Sequence, residues 1–358
     1  MFIKFSCRAE GEKLNFRSHA SENIREGMME VYGSLTRKVS GQDSKLLEKI
    51  WSILANPEEA AILDMLPKSA EEISVALGTG IDKAEDILDN LFHKGVAFDG
   101  IKDGRKIFRM PRHIIQFHDA SLLWAEAPDE LFTLWAEYME TEYRAMVEQM
   151  TELKIPSFMR VLAINETVEK KSSVLGYEDA ADILKNARSI AVTSCVCRKS
   201  VKKCDNPIEV CLQVNRGAEY NIKRGTGRAI ELAEALDILK LSEEKGLVHM
   251  TENVAGGSNV ICNCCTCCCE MLRYAIVPKT RNVVAPSRFA ASVDAPECIL
   301  CGLCADVCPM KAISSDGDNP ATVDIELCIG CGLCGSACTS GAIRLVEVRA
   351  EDFIPKKA

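Results

Sequence analysis

No apolar run in the 358-residue sequence approaches the roughly 18 residues a membrane-spanning helix requires, so an integral helical membrane protein is excluded. The first stretch, Met1 to Leu14, carries Lys4, Arg8, Glu10, Glu12 and Lys13 and lacks the continuous apolar core of a secretion signal, which leads to the expectation of a cytoplasmic protein. Histidine is scarce: His19, His93, His113, His118 and His249 are scattered and read as structural or exposed. Neither Asn253 to Val260 nor Arg224 to Arg228 has the glycine spacing of a dinucleotide or phosphate loop. A flavin or nicotinamide site is therefore not visible, and no catalytic residue is assigned. Positive charge is also short, with 43 Lys and Arg against 52 Asp and Glu, and the net charge of -9 opposes general attraction to nucleic acid.

Cysteine, by contrast, is abundant at 19 residues. In a small secreted protein that number would mean disulfides; in a long chain without an export signal it points to metal ligation. Residues 293–313 read VDAPECILCGLCADVCPMKAI, and residues 323–343 read VDIELCIGCGLCGSACTSGAI, identical at 11 of 21 positions. Each copy holds C-x2-C-x2-C-x3-C: Cys298, Cys301, Cys304 and Cys308, then Cys328, Cys331, Cys334 and Cys338. Three thiolates on one tight loop reach three irons of a cube, and the fourth is too far along to close it, so it ligates the other cluster. The expected sets are thus Cys298, Cys301, Cys304 and Cys338 for one 4Fe-4S cluster, and Cys328, Cys331, Cys334 and Cys308 for the second. Gly302 and Gly332 sit where a missing side chain lets backbone amides approach the sulfides. Zinc ribbons are the rival reading, but zinc requires neither the third cysteine two residues on nor Pro309. The segment resembles bacterial-type two-cluster ferredoxin domains over about 50 residues; Thr339 departs from the proline usual after the fourth cysteine without removing a ligand.

A second cysteine field lies upstream: Cys195, Cys197, Cys204, Cys211, Cys262, Cys264, Cys265, Cys267, Cys268 and Cys269. Ser189 to Ser194 reads as a strand running into Cys195, Asn259 to Ile261 as one leading into Cys262, and Thr226 to Lys245 as the helix between them. Such a strand-helix-strand unit brings both thiol groups to one edge, allowing one or two further iron-sulfur clusters. Adjacent thiols such as Cys264 and Cys265 point differently, so not all ten are ligands. A zinc site with spare buried thiols is the alternative. From Cys195 to Arg228 the bases Arg198, Lys199, Lys202, Lys203, Arg216, Lys223, Arg224 and Arg228 outnumber three acids, which favours an anionic tenant. With its CVCR and CNCCTCCC elements, the region from about Val174 to Cys308 resembles anaerobe proteins known only as 4Fe-4S ferredoxins.

Residues 45–112 read as a winged helix-turn-helix, with helices over Ser44 to Leu54, Pro57 to Leu66 and Asp82 to Lys94, a capping box of Ser69 with Glu72, and a wing turning at Asp103 and Gly104. Its third helix carries Asp82, Glu85, Asp86 and Asp89 against Lys83 and Lys94, a poor match to a phosphate-lined groove, although the wing holds Lys102, Arg105, Lys106, Arg109 and Arg112. Protein docking or homodimerisation is the preferred role. A long helix is expected from Pro128 to Pro156, with Leu131, Trp135, Tyr138, Met146 and Met150 on its buried stripe. Cys7 stands alone.

The expected fold class is α+β and multidomain: an N-terminal segment (1–44), a winged-helix-like domain (45–112), a helical connector (113–172), a cysteine-rich α/β domain (173–285) and a two-cluster ferredoxin domain (286–358). The expected function is single-electron relay to or from a redox partner in anaerobic metabolism, the chain serving as carrier or oxidoreductase subunit. From Cys298 to Cys338, Asp306, Asp316, Asp318, Asp324 and Glu326 oppose only Lys311, so the partner's docking surface is expected to be basic. The alternatives are a redox-responsive winged-helix regulator and an iron-sulfur reductase with an unusual cluster in the middle domain.

Overall fold

The computed structural model describes residues 30–170 and 172–356; Cys7, His19 and the Met1 to Leu14 stretch lie outside the described residues. Residues 30–40 form α1. Helix α2 (Lys45–Leu54) starts at Ser44, whose hydroxyl accepts the Leu47 amide hydrogen, and α3 (Pro57–Met65) and α4 (Ala70–Leu77) each open with a reciprocal capping box, Asn56 with Glu59 and Ser69 with Glu72. Helix α5 (Ile81–His93) buries Ala84, Leu88, Leu91 and Phe92 and leaves its acids in solvent. An antiparallel hairpin of β1 (Phe98–Lys102) and β2 (Arg105–Arg109) follows, turning on Asp103 and Gly104, both at positive φ.

After α6 (Ile114–Leu122), the expected long helix runs as α7 (Asp129–Tyr138), a π-helical turn at Met139–Tyr143, and α8 (Arg144–Glu152). The extra residue in the π turn rotates the buried stripe. It runs through Leu131, Trp135, Tyr138, Met139, Tyr143 and Val147, whereas Met146 and Met150, expected in the stripe, are only half-buried.

The centre is a seven-stranded sheet built from β3 (Met159–Val161), β4 (Ile190–Ser194), β5 (Glu209–Val214), β6 (Arg228–Ala229), β7 (Val248–Glu252), β8 (Val260–Cys264) and β9 (Val284–Ala285), in the order β6-β4-β5-β8-β7-β3-β9. Only β3 and β9 pair in parallel. A plain strand-helix-strand unit is therefore not what forms: β5, unread in the sequence, lies between β4 and β8 and is antiparallel to both. Those two strands consequently still run the same way. The helix expected from Thr226 begins instead at α12 (Leu232–Glu244), because Arg228 and Ala229 pair with Val192 and Ala191 as an edge strand and the Thr226 hydroxyl bonds back to Asn221. Strand β3 comes from the stretch expected to be a helical connector.

Period-two alternation assigns the sheet's two faces. Val192, Leu212, Val214 and Ile261 pack with α12 and α9 (Ala180–Lys185) in a dry apolar layer. Cys211, Cys262, Cys264 and Met250 are set on the opposite face by the pairings Leu212 with Ile261 and Met250 with Cys262. That face is covered by α10 (Val196–Val201), α11 (Arg216–Arg224) and the α6 region, while α13 (Leu272–Ala275) follows the last cysteine.

The C-terminal segment joins β10 (Phe289–Val293) to β13 (Ile343–Glu347) and β11 (Ile313–Ser314) to β12 (Thr322–Val323) as two antiparallel ribbons, with α14 (Leu303–Asp306) and α15 (Leu333–Ala337) inside the two cysteine loops. Apolar packing is continuous from α2 through the sheet to this segment. The fold is thus mixed α/β with several sheets, and among the described residues no helix is long and apolar enough to cross a membrane.

Candidate metal centres

Cys308, Cys328, Cys331 and Cys334 line one cavity of about 20 Å³, walled by Ile313, Ile329 and Leu345. The first of these comes from the first repeat and the others from the second. Backbone amides point at the sulfurs: Ala312 N–H donates to Cys308 Sγ at 3.2 Å and Ala291 N–H to Cys328 Sγ at 3.4 Å. Such bonds stabilise thiolate and tune cluster potential. Burial pushes the Cys331 thiol up to about 12, a cost that bound metal cations would offset. The donor set, the cradle and the N–H···S bonds fit an iron-sulfur cube. In the other loop, burial raises the Cys304 thiol. Cys338 bonds Ser340 Oγ at 3.6 Å and takes backbone hydrogen bonds from Ala342 and Ile343, repeating the Cys308 to Ala312 relation thirty residues on.

The two loops differ in exposure. In the outer loop Cys301 is exposed, and Ile299 and Leu303 show 62% and 42% of their surface. The inner loop is pressed into the protein: Ile164 N–H donates to the Cys331 carbonyl at 3.0 Å and Ser287 Oγ–H to the Gly330 carbonyl at 2.7 Å. A methyl group on Gly332 would fall 2.6 Å from Thr167 Oγ1, so this glycine is required by close approach as well as by its φ of +91°.

The ten middle thiols gather at the edge of the sheet where β4 and β8 end and β5 begins, and they divide. Cys204, Cys265, Cys267 and Cys268 have sulfurs within 4.8 Å of one another, with Cys204 at 3.8 Å from Cys265 and 3.7 Å from Cys268. Among the described residues no other set of three or more His, Cys, Asp or Glu brings ligand atoms so close. The other six all line one cavity, and each shifts the titration of two others, which orders them as a ring: Cys195, Cys197, Cys269, Cys264, Cys262, Cys211 and back to Cys195. Neighbouring thiols hold Cys195, Cys262 and Cys269 below the ordinary thiol range and push Cys197, Cys211 and Cys264 above it, so the ring alternates. Adjacent cysteines part company: Cys264 and Cys269 belong to the ring, Cys265 and Cys268 to the tetrad. The ring borders a cavity of about 260 Å³ that reaches Phe98, His113 and Phe158.

The basic residues expected around these thiols are mostly engaged elsewhere. Arg224 is buried and donates to the carbonyls of His93 and Ala120, Lys223 pairs with Asp99, and Arg228 pairs with Glu234 at 2.7 Å. Arg198 alone is buried at the thiols, 2% exposed, interacting with Cys195, Cys265 and Cys211. Arg198 is thus the member of the expected basic group that does reach the thiols, whereas Glu270, which also borders the larger cavity, does not stand out in the sequence. Glu270 is 2% exposed with Oε1 unpartnered, and burial raises its carboxyl to about 7. The alternating run IEVCLQV around Cys211 was the available signal for β5.

Residues 291–345 match the model of the 4Fe-4S dicluster domain family. No curated protein and no solved structure matches the chain.

Proposed function

We propose that this chain relays single electrons between a docking partner at the outer cysteine loop and the middle thiol field, through two crosswise 4Fe-4S clusters. The observation that carries this reading is the company of Cys308, which lines a cavity with Cys328, Cys331 and Cys334 of the other repeat. By the same rule Cys338 serves with Cys298, Cys301 and Cys304. Bound clusters of this type supply reversible one-electron chemistry; the chain's own part is to hold them, tune them and set their access. Exposed Ile299 and Leu303, with Asp306 close by in sequence, suit a partner whose surface is basic around an apolar centre. The inner loop is tied to the strand that leads to the middle field: Val161 pairs with Met250, which pairs with Cys262. Two strand spacings, roughly 10 Å, separate Val161 from Cys262.

In this reading the ten middle thiols hold additional metal, and residues 45–112 form a winged-helix-like module with a protein-docking role. Support comes from how the hairpin is used. Phe98 stacks on Tyr220 with ring centroids 4.5 Å apart, and the Arg109 guanidinium lies 4.7 Å over the Phe98 ring. The wing's aromatic thus serves contact with α11, and one of its cations covers that aromatic within the hairpin rather than facing phosphate.

Electron paramagnetic resonance of the anaerobically purified, reduced chain tests the relay. Two spin-coupled 4Fe-4S signals are expected, and Cys308→Ala should perturb the cluster of the second loop. Zinc without acid-labile sulfide in the purified chain would sink the reading.

A further inference from the structure

We propose that the ten middle thiols form two unlike centres: a tetrad for one tetrahedral metal ion, and a six-thiolate ring for a polynuclear iron-sulfur centre that a small uncharged ligand reaches from the cavity. This deepens the reading of the middle field as a metal site, on which it rests, and replaces the expectation that not all ten thiols are ligands. The tetrad's dimensions carry the first half. Four thiolates on one ion at about 2.3 Å stand about 3.8 Å apart at the corners of a tetrahedron; three of the tetrad's six sulfur separations are 3.7 or 3.8 Å, and all six lie within 4.8 Å. A cube puts each thiolate on a different iron, which spreads them further. An all-thiolate tetrahedral set suits zinc or a single iron.

Ligand number carries the second half. One cube offers four irons and four terminal thiolate positions, yet six thiols besides the tetrad's Cys265 line the one cavity: Cys195, Cys197, Cys211, Cys262, Cys264 and Cys269. Six thiolates in one contiguous set require either more irons or sulfurs shared between irons.

Arg198 supplies an independent observation. Its guanidinium is buried and permanently charged, and among the described residues no carboxylate pairs with it; its hydrogen-bond acceptors are the carbonyls of Pro207 and Asn263, and its Nε has none. An uncompensated buried cation is costly, and Arg198 lies between the two anionic metal-thiolate centres, beside Cys195 and Cys211 of the ring and Cys265 of the tetrad, which neutralise it. The Cys269 sulfur, at the ring's other side, accepts the amide hydrogens of Met271 and Leu272 at 3.4 Å.

The cavity beside the ring gives the ligand class. Its wall is mainly apolar, with the amides Gln116, Gln213, Asn221 and Asn259 as hydrogen-bonding points. Asp119, Glu252 and Glu270 outnumber Arg198, which disfavours anions. The ring thiols line this same cavity of about 260 Å³, so the metal centre and its ligand share it, which leaves room only for a small molecule.

The test uses the full chain, prepared without oxygen, with iron, zinc and sulfide counted and Mössbauer spectra recorded. Beyond the about eight irons of the C-terminal pair, Cys211→Ala and Cys262→Ala should each remove one common polynuclear component and leave the tetrad's ion. Cys204→Ala and Cys267→Ala should remove a single zinc or iron and leave that component. Cys331→Ala should affect neither, so a failure of the C-terminal assignment shows separately as a missing pair of cubes. Because a ring variant can misfold, an alkyl isocyanide is also titrated into the reduced unaltered chain and into Leu123→Trp, which narrows the cavity. A saturable spectral change at the polynuclear component, at least tenfold weaker in Leu123→Trp, is expected. The proposal is overturned if ring and tetrad variants lose the same component, if no iron exceeds the C-terminal pair, or if isocyanide leaves the spectrum unchanged.

Discussion

Leu300 and Gly330 occupy the same place in the two cysteine repeats and share a left-handed backbone, φ +60° at Leu300 and +66° at Gly330. Their surroundings differ. A methyl group on Gly330 would fall 2.1 Å from the Phe289 carbonyl oxygen, because this loop is pressed against the body of the protein, while Leu300 belongs to the loop that faces solvent. The repeat thus diverged where one copy turned inward. Lys311 and Gly341, at φ +53° and +72°, show the same substitution at another equivalent position.

Gly330→Ala should therefore cost more than the roughly 1–2 kcal/mol of a left-handed non-glycine residue, since backbone must move to admit the Cβ. Loss of the inner cluster's electron paramagnetic signal with the outer one retained is the expected result. Gly302→Ala, whose nearest neighbour would be Ser315 Oγ at 3.7 Å, should show only the conformational cost. Equal effects of the two substitutions on thermal unfolding would contradict the inner and outer assignment.

The docking role proposed for the outer loop predicts a charge effect. A basic c-type cytochrome serves as the electron acceptor, its reduction by the pre-reduced chain followed by stopped flow. The rate should fall with ionic strength as charges beyond the Debye length of about 10 Å at 0.1 M are screened. Charge reversal at Asp306 together with Asp316 should slow it about three- to tenfold at low salt and flatten the salt dependence. A rate indifferent to both changes would move docking elsewhere.

Most of this architecture was legible where local chemistry decides it. Ser69 and Glu72 cap α4 because a capping box needs only four residues, and the C-x2-C-x2-C-x3-C spacing locates the dicluster segment because three ligands are local. What escaped depends on partners distant in sequence. Strand β5 is short and its pairing with β4 and β8 is not written in its own residues; the π turn at Met139–Tyr143 leaves no local signature, yet it exchanges Met146 for Val147 in the buried stripe. The division of ten thiols into a tetrad and a ring hangs on the opposite directions of neighbours such as Cys264 and Cys265, which alternation suggests and only the sheet fixes. Net charge misled in one respect, since Lys223, Arg224 and Arg228 bond the hairpin, carbonyls and α12 rather than the thiols.

Arg288, fully buried, clamps three segments. Its Nε meets Glu178 Oε1 at 2.6 Å, another nitrogen meets Glu347 Oε1 at 2.8 Å in β13, and a third contact goes to the Ser173 carbonyl at 2.7 Å. Removing the buried partner leaves a charge without its main counter-ion, so Glu178→Ala should destabilise by about 3–5 kcal/mol in denaturant unfolding. Glu347 is partly exposed, and Glu347→Ala should cost about 1 kcal/mol or less. A double substitution of Arg288 and Glu178 by Met and Leu should recover much of the loss, which separates the orphaned charge from lost packing.

His113 makes α6 sensitive to pH. Its Nδ1 accepts the Gln116 amide hydrogen at 3.2 Å, which caps the helix and requires the neutral ring. His113 is exposed overall, with part of its ring crowded against the cavity wall. The desolvation on that side lowers its pKa; Asp119 opposes the shift, and Arg112 and Arg109 reinforce it. A depressed pKa means the cap's contribution is fully present above the unfolded value of about 6.5 and is lost as pH falls through the folded value. Hydrogen exchange of the peptide covering 113–122, corrected for intrinsic rate, should therefore accelerate on acidification below that range. In His113→Asn, which caps without titrating, the corrected rate should stay flat. A parallel acceleration in the variant would mean that the pH response of α6 comes from another group.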